Sequence, residues 1–432
     1  MPDQLMEFRA SAPVKAIMTL LVVLALFSTW FVVRWYIGNT IAEYFHPEDH
    51  RLDTAQMAVN LAPNDPLPHW RLGNLALKEL PPDQISVVVT EYEKAVSLSP
   101  NDYRLWMEFG GALEQAGDFD KAEKAMREAV KLAPSYAYPH WYLGNLLLRT
   151  DRYAEGFAEL RQASEGYDQF QSQLFNLAWQ LNKDDFGALQ TAVGNTPAMR
   201  ASFSRYLVER GRYDDGLRLW NGLTEAEKKE SRFAADPIIA SLISAQRYQQ
   251  AMEIWNQVAP GSAYYAQIGR IMDGGFEDNL AHGPGAVFGW QVQSNPQTQV
   301  GIDGAQGHSG SRSLRVYFQV RSQIDTINVT QLVPVQPNAG YDFECYVKTE
   351  RLESAETPAI LIVNASDDAA LASAPPASSG TSNWQRISLP FKTGEKTEAV
   401  KVKMVRNSCI DSPVCPIFGT VWYDDFDLKL RK

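Results

Sequence analysis

Residue types able to do chemistry are present in this chain, but not in the groupings that catalysis needs. There is no G-x-S-x-G elbow, no phosphate-cradling G-x-x-x-x-G-K-[ST] loop and no H-E-x-x-H helix. The six histidines sit mostly beside prolines and turns and form no ligand cluster; His69 and His140 hold equivalent places in a repeated pattern, which points to a structural role. Asp424 and Asp425 are neighbours in a strand pattern, where successive side chains point to opposite faces, so they are not expected to act together as acid and base. Cys345, Cys409 and Cys415 are too few for a disulfide framework or a cysteine-rich zinc site. Cys409 and Cys415 bracket the short loop S-C-I-D-S-P-V-C-P and would join in an oxidising compartment, whereas Cys345 sits in a strand pattern as a buried thiol. No catalytic residue is expected. What remains is binding chemistry, carried by flat aromatic rings and by polar side chains at regular spacing.

The elements that position those groups follow from bulk numbers and periodicity. With 432 residues the chain exceeds one ordinary core, so two or more domains are expected. Hydrophobic residues at 45% and charged residues at 21% describe a folded protein. A formal net charge of −11 argues against nucleic-acid phosphate as a partner.

Residues 16–33 carry no charge, a length just sufficient to cross a bilayer. Arg9 and Lys15 precede them, and Trp30, Trp35 and Tyr36 gather at the far end, where aromatic rings favour the interface. A cleaved signal peptide would need a shorter apolar core and an A-x-A cut, and no such cut follows. The reading is a cytoplasmic segment 1–15, a single-pass signal-anchor helix 16–36, and the rest outside the cytoplasm, in the periplasm of a bacterial inner-membrane protein. Residues 37–45 continue the helix and pair with 53–61 as a capping half-repeat.

A pattern then recurs. Ala-Val-x-Leu-x-Pro ends at Pro63, Pro100 and Pro134, and Leu72-Gly73, Phe109-Gly110 and Leu143-Gly144 recur in step. The last two copies are 34 residues apart, each with two helical faces broken by a turn such as Ala116-Gly117-Asp118. This resembles the tetratricopeptide repeat over residues 51–165. The signal weakens beyond it, with an irregular helical stretch at 167–196 and two degenerate copies over 197–260, marked by Trp220 and Trp255. The resemblance implies an α-α superhelical solenoid with a groove for a protein partner, lined by the first helix of each copy. By register the groove residues are Trp70, Asn74 and Lys78, then Arg104, Met107 and Glu114, then Trp141, Asn145 and Arg149. The two asparagines would bond an extended peptide, and the two tryptophans would supply contact area or else pack against neighbouring helices. In domain terms, 37–165 is the repeat array with its cap and 166–268 the degenerate helical repeats.

From residue 269 to 432 helical periodicity gives way to short alternating strands separated by polar turns, a β-sandwich pattern. Its landmarks come in a set order: Asp273-Gly274-Gly275-Phe276-Glu277, Phe288-Gly289-Trp290, the 307–316 segment, Gly340-Tyr341-Asp342-Phe343, Trp384-Gln385, and Trp422-Tyr423-Asp424-Asp425-Phe426. This resembles the jelly-roll carbohydrate-binding modules of the galactose-binding-like superfamily. The resemblance implies a structural calcium at Glu277 and Asp425 with carbonyls of the 307–313 turn, the rival being carboxylates that only bond loop amides. It also implies glycan binding through aromatic rings. Tyr317 and Tyr346 alternate with apolar neighbours towards an open sheet, and Trp290 joins them as a candidate, while Trp290, Trp384 and Trp422 can equally pack in the core. The expected function is a non-catalytic scaffold in exopolysaccharide or cell-envelope assembly or export. The rival is a structural accessory subunit of a membrane complex whose jelly roll docks protein.

Overall fold

The computed structural model describes residues 12–44, 52–165, 167–183, 185–278, 287–293, 298–318, 327–407, 409 and 415–431. The chain forms two compact units, Met1–Gly194 and Asn195–Lys432.

The first unit is helical. Helix α1 (Ala12–Tyr44) has 33 residues, about 50 Å at the α-helical rise, and so outruns a bilayer core of about 30 Å. Among the described residues it is the one helix long and apolar enough to cross a membrane. Its last turns pack on α2 (Leu52–Leu61) and α3 (Pro66–Glu79). Gly38 makes this possible: a Cβ there would lie 2.8 Å from the Ala62 Cβ. Trp35 Nε1 donates to Asp65 at 2.9 Å, Arg71 Nε donates to the Ala42 carbonyl at 2.9 Å, and Arg34 bonds the Asn60 carbonyl.

Helix pairs follow: α3 with α4 (Ile85–Leu98), α5 (Tyr103–Gln115) with α6 (Phe119–Leu132), and α7 (Ala137–Arg149) with α8 (Tyr153–Ser164). Asp65 and Asp102 cap their helices by accepting from Leu67 and Arg104 amides, and Asp118 accepts from Lys121. Gly117 takes φ +80° to end α5, a backbone that other residues adopt at a cost. The recurring glycines sit at the crossings: a Cβ on Gly73, Gly110 or Gly144 would meet Tyr92, Met126 or Leu160 at 2.7–2.8 Å. One further device recurs. The residue six places after each terminal proline donates to that proline's carbonyl: His69 to Pro63 at 3.0 Å, Trp106 to Pro100 at 2.8 Å, His140 to Pro134 at 2.9 Å. Helices α9 (Asp168–Asn182) and α10 (Phe186–Val193) close the unit.

The second unit joins helices to the sandwich. Helices α11 (Pro197–Glu209), α12 (Tyr213–Asn221), α13 (Glu225–Glu230), α14 (Arg232–Ser244) and α15 (Tyr248–Val258) bury Trp220 and Trp255 in one apolar cluster. Among the described residues ten strands follow: β1 (Gln291–Gln293), β2 (Thr298–Asp303), β3 (Ser313–Phe318), β4 (Asn328–Pro334), β5 (Gly340–Glu353), β6 (Ala359–Asn364), β7 (Ala370–Ser373), β8 (Gly380–Lys392), β9 (Ala399–Val405) and β10 (Phe418–Leu430). They make two five-stranded antiparallel sheets, ordered β1-β4-β9-β6-β7 and β2-β3-β10-β5-β8. One apolar core lies between them. Helices α14 and α15 pack on part of the outer face of the first sheet: Tyr248 packs on Ala365 and Ala399, with Ile243 and Leu332 alongside, while Lys401 and Lys403 of the same face pair with Asp368 near solvent. Gln246 donates to the Ser366 carbonyl at 3.3 Å. The N-terminal landmark is pinned to the last strand, where Phe426 N donates to the Gly274 carbonyl at 2.9 Å. A Cβ at Gly274 would fall 1.9 Å from the Phe426 oxygen, so no side chain fits. Cys409 and Cys415 are disulfide-bonded and Cys345 is a buried thiol, its pKa pushed up by burial.

Candidate functional site

Two surfaces gather the candidate residues. On the repeats, the nine register positions lie on α3, α5 and α7, but most of their polar groups are already engaged within the array. Asn74 accepts from the Tyr92 hydroxyl at 3.0 Å, and Asn145 Nδ2 donates to the Trp141 carbonyl at 2.8 Å. Arg104 is held on Asp102 at 2.7 Å, and this hydrogen bond keeps the Asp102 carboxyl below its usual range. Arg149 and Glu114 form an ion pair between successive copies. Trp141 packs against Phe170 with ring centroids 5.0 Å apart. Trp70 lines a pocket of about 270 Å³ with Pro66, Leu67, Asp102, Arg104 and Leu105. Met107 is half-buried and Lys78 exposed. Glu108 escaped the register argument: burial pushes its carboxyl up, and its only sequence signal is a lone acid between Met107 and Phe109.

On the sandwich, the second sheet leaves its outer face open among the described residues. Opposite residues in an antiparallel pair share a face, so pairing identifies what lies there. Gly301 pairs with Arg315, Arg315 with Trp422, and Trp422 with Lys348, a row running across four strands. Tyr317 and Tyr346 lie on this face, as expected, and both are half-exposed. One side of the Tyr346 ring is taken by His308, stacked at 3.6 Å, and Trp384 meets His308 edge-on at 5.7 Å. Trp384 is therefore a half-exposed surface ring, not a core residue. Trp422 shares the outer face but is only 5% exposed, its indole donating to Asp303 at 2.8 Å. Trp290 is corrected as a glycan candidate: it is 2% exposed, packed between Phe276 and Phe426, and donates to the Asp273 carbonyl at 3.1 Å. Glu344 is paired with Arg386 at 2.6 Å, which holds its carboxyl below the usual range.

At one edge of this face three carboxylates clasp the 307–312 loop. Glu277 Oε1 accepts from the Ser311 and Arg312 amides at 2.9 and 3.0 Å, and Oε2 from the Ser311 hydroxyl at 3.1 Å. Asp424 accepts from the His308 and Ser309 amides at 2.6 and 3.2 Å, and its pKa is pushed up by burial. Asp425 bonds the His308 ring and the Ser309 hydroxyl at 2.6 and 2.5 Å. The expectation that Asp424 and Asp425 face opposite ways fails here. A bulge between Asp424 and Asp427, with Asp425 at φ +50°, turns both carboxylates to the same loop. In this arrangement the carboxylates serve the donors of the loop. Each carboxylate oxygen of Glu277 and Asp425 already accepts an N–H or O–H, whereas a calcium shell would need the loop to turn its carbonyls inward. Among the described residues no group of three or more His, Cys, Asp or Glu is placed to hold a metal.

Comparison with known proteins matches the periodic part. A family model of the tetratricopeptide repeat matches residues 89–137 and 107–169. Residues 89–169 thus match the tetratricopeptide repeat. None of the curated proteins matches it. Similar solved structures include a double mutant of MamA RS-1, at 19% identity and TM-score 0.32, over 43% of this chain and 97% of that one. They include PilF of Pseudomonas aeruginosa, at 15% identity and TM-score 0.28, over 55% and 96%. They also include the CBM22-1–GH10 modules of a Clostridium thermocellum xylanase complexed with xylohexaose, at 14% identity and TM-score 0.27. That match covers 38% of this chain but 29% of the xylanase, so the chain spans less than a third of it. Scores of this size transfer neither activity nor ligand.

His69 and His140 form no site. Each ring has one nitrogen on a proline carbonyl and the other on a carboxylate, Glu91 at 2.7 Å and Glu159 at 2.6 Å. Both partners are acceptors, so the doubly protonated ring satisfies both. The Glu159 hydrogen bond raises the His140 pKa; burial opposes the rise at His69 but is outweighed by Glu91 and the Pro63 carbonyl. Because the folded values lie above the ordinary 6.5, this stabilisation is complete below that pH and is lost as pH rises through the raised values. Replacing both with glutamine should cost roughly 1 kcal/mol per pair at about pH 6 and less at about pH 8, read from urea midpoints.

For the clasp, the Ser311 and Arg312 amides lower the Glu277 pKa, so its contribution is present above 4.5 and lost as pH falls through the lowered value. Glu277→Gln should lower the melting temperature at neutral pH, while a calcium chelator should leave it unchanged. A drop on chelation, with calcium found by elemental analysis, would show instead that the loop does turn to the ion.

Proposed function

We propose that this chain is a non-catalytic, membrane-anchored scaffold of the bacterial envelope, whose repeat groove holds a protein partner and whose open sheet takes a glycan, in exopolysaccharide or cell-envelope assembly or export. The observation that carries the glycan reading is the asymmetry of the sandwich. One outer face is partly covered by α14 and α15, while the other presents half-buried Tyr317, Tyr346 and Trp384 beside polar side chains. Flat rings suit the C–H faces of sugars and cost little conformational entropy on binding. The repeats supply the protein-binding half, with Trp70 and its pocket as the apolar anchor point. An extracytoplasmic placement is supported by Arg9 and Lys15 ahead of the span and by the Cys409–Cys415 disulfide. A reporter fused after Pro134 reads that orientation, and cytoplasmic activity there would remove it.

The second reading has an observation of its own: the sandwich already docks helices through its first sheet, so the other face can dock a protein. A polysaccharide array with the full chain in nanodiscs separates the two. Under the glycan reading Tyr317→Ala and Trp384→Ala each weaken binding about tenfold, near 1.4 kcal/mol, with little change in the melt. Trp290→Ala and Trp422→Ala instead destabilise by about 3–5 kcal/mol, because those rings are buried. No binding across bacterial and plant-type polysaccharides would leave protein docking as the function of this face.

A further inference from the structure

The charge of the ligand is also written on the open sheet. Arg315 is half-buried, and its Nε is shielded from solvent without a hydrogen-bond partner. A shielded guanidinium nitrogen left unbonded is costly, and such groups call for an explanation. The guanidinium lies over the Tyr317 ring, 5.0 Å from its centroid, which holds it on the outer face. Two strands away, Lys348 lies over Trp422 at 5.7 Å and donates to the neutral amide of Gln306 at 2.6 Å. Among the described residues neither cation has a carboxylate within ion-pair distance. Of the acids on this face, Asp303 is bonded to the Trp422 indole and the Ala305 amide and Glu344 to Arg386, while Glu350, opposite Thr420 in the Tyr317 row, is exposed to solvent. Beside Arg315, Gly301 leaves the face open, since a Cβ there would meet nothing within 4 Å.

We infer that the open sheet binds an acidic polysaccharide, with a uronate carboxylate on Arg315 and a second on Lys348. This rests on the glycan reading given above and names the ligand's class. The planar guanidinium fork matches a carboxylate, and Lys348 acts as a point charge. The two cations stand about 10 Å apart, two inter-strand spacings, comparable to the length of a disaccharide unit. A polymer chain crossing the strands would thus present alternate sugars to alternate cations, with the notch at Gly301 admitting a ring beside Arg315.

The test uses the full chain in nanodiscs with polygalacturonate, its carboxyl-reduced counterpart and dextran sulfate, measured by calorimetry. Polygalacturonate should bind at least tenfold more tightly than the reduced polymer, and more weakly as salt rises. Arg315→Gln should lose about tenfold for polygalacturonate without changing the melt. Arg315→Lys should recover part of that loss, because charge returns without the fork. Lys348→Gln gives a second reading should Arg315→Gln fail to fold. Equal binding of the reduced polymer, or of dextran sulfate, would overturn the carboxylate assignment. Binding to neutral polysaccharides alone would overturn it too while leaving the glycan reading intact, whereas no polysaccharide binding would remove both.

Discussion

The repeat array depends on one hydrogen bond made three times. The turn after each second helix carries a proline, Pro63, Pro100 or Pro134, whose carbonyl needs a donor. The next helix supplies the missing donor from six residues on, as His69, Trp106 and His140. The chemistry differs while the geometry repeats, so the constraint is a donor at a fixed point and not a particular residue. Each bond fixes where the next helix starts relative to the last. The glycines then fix how closely the two helices of a copy cross, since Gly73, Gly110 and Gly144 lie directly against Tyr92, Met126 and Leu160. Together a start point and a crossing distance leave little freedom in how copies stack.

This is also why the helical half was legible in the sequence. A structure that repeats a contact must repeat the residue that permits it, and the Gly and Pro positions recur for that reason. The sandwich has no such redundancy. Alternation along a strand separates two faces but does not say which is buried. Trp290, in a loop beside β1, went to the core, whereas Trp384 and Trp422 share the outer face with different exposures. Asp424 and Asp425 show the same limit locally, because a bulge breaks the alternation that the pattern assumes. Glu277 meets the 307–313 segment through a set of amides and a hydroxyl, a contact that strand patterning does not specify.

The two faces of the sandwich divide two tasks. Apolar helices cover part of one of them, where Tyr248 meets small residues such as Ala365 and Ala399 that let the helix come close. The other keeps rings, cations and a notch at the surface, with its polar groups held by neighbours such as Asp303 and Gln306. The clasp around His308 sits at the border. It fixes the ring that covers Tyr346 and so sets how much of that tyrosine is exposed.

Helix α1 passes from the apolar span into the first repeat without a break, and Gly38, Trp35 and Arg71 seat its last turns against α2 and α3. A tether of this kind has no slack. A loosely linked domain sweeps a volume above the lipid and meets partners at any angle, whereas a spliced helix works as a mast. Were α1 to cross a bilayer, for which its length and composition suffice, the repeats would stand at a set height and heading over it. In that placement, tilting the helix in a thicker or thinner membrane would swing the first repeats with it.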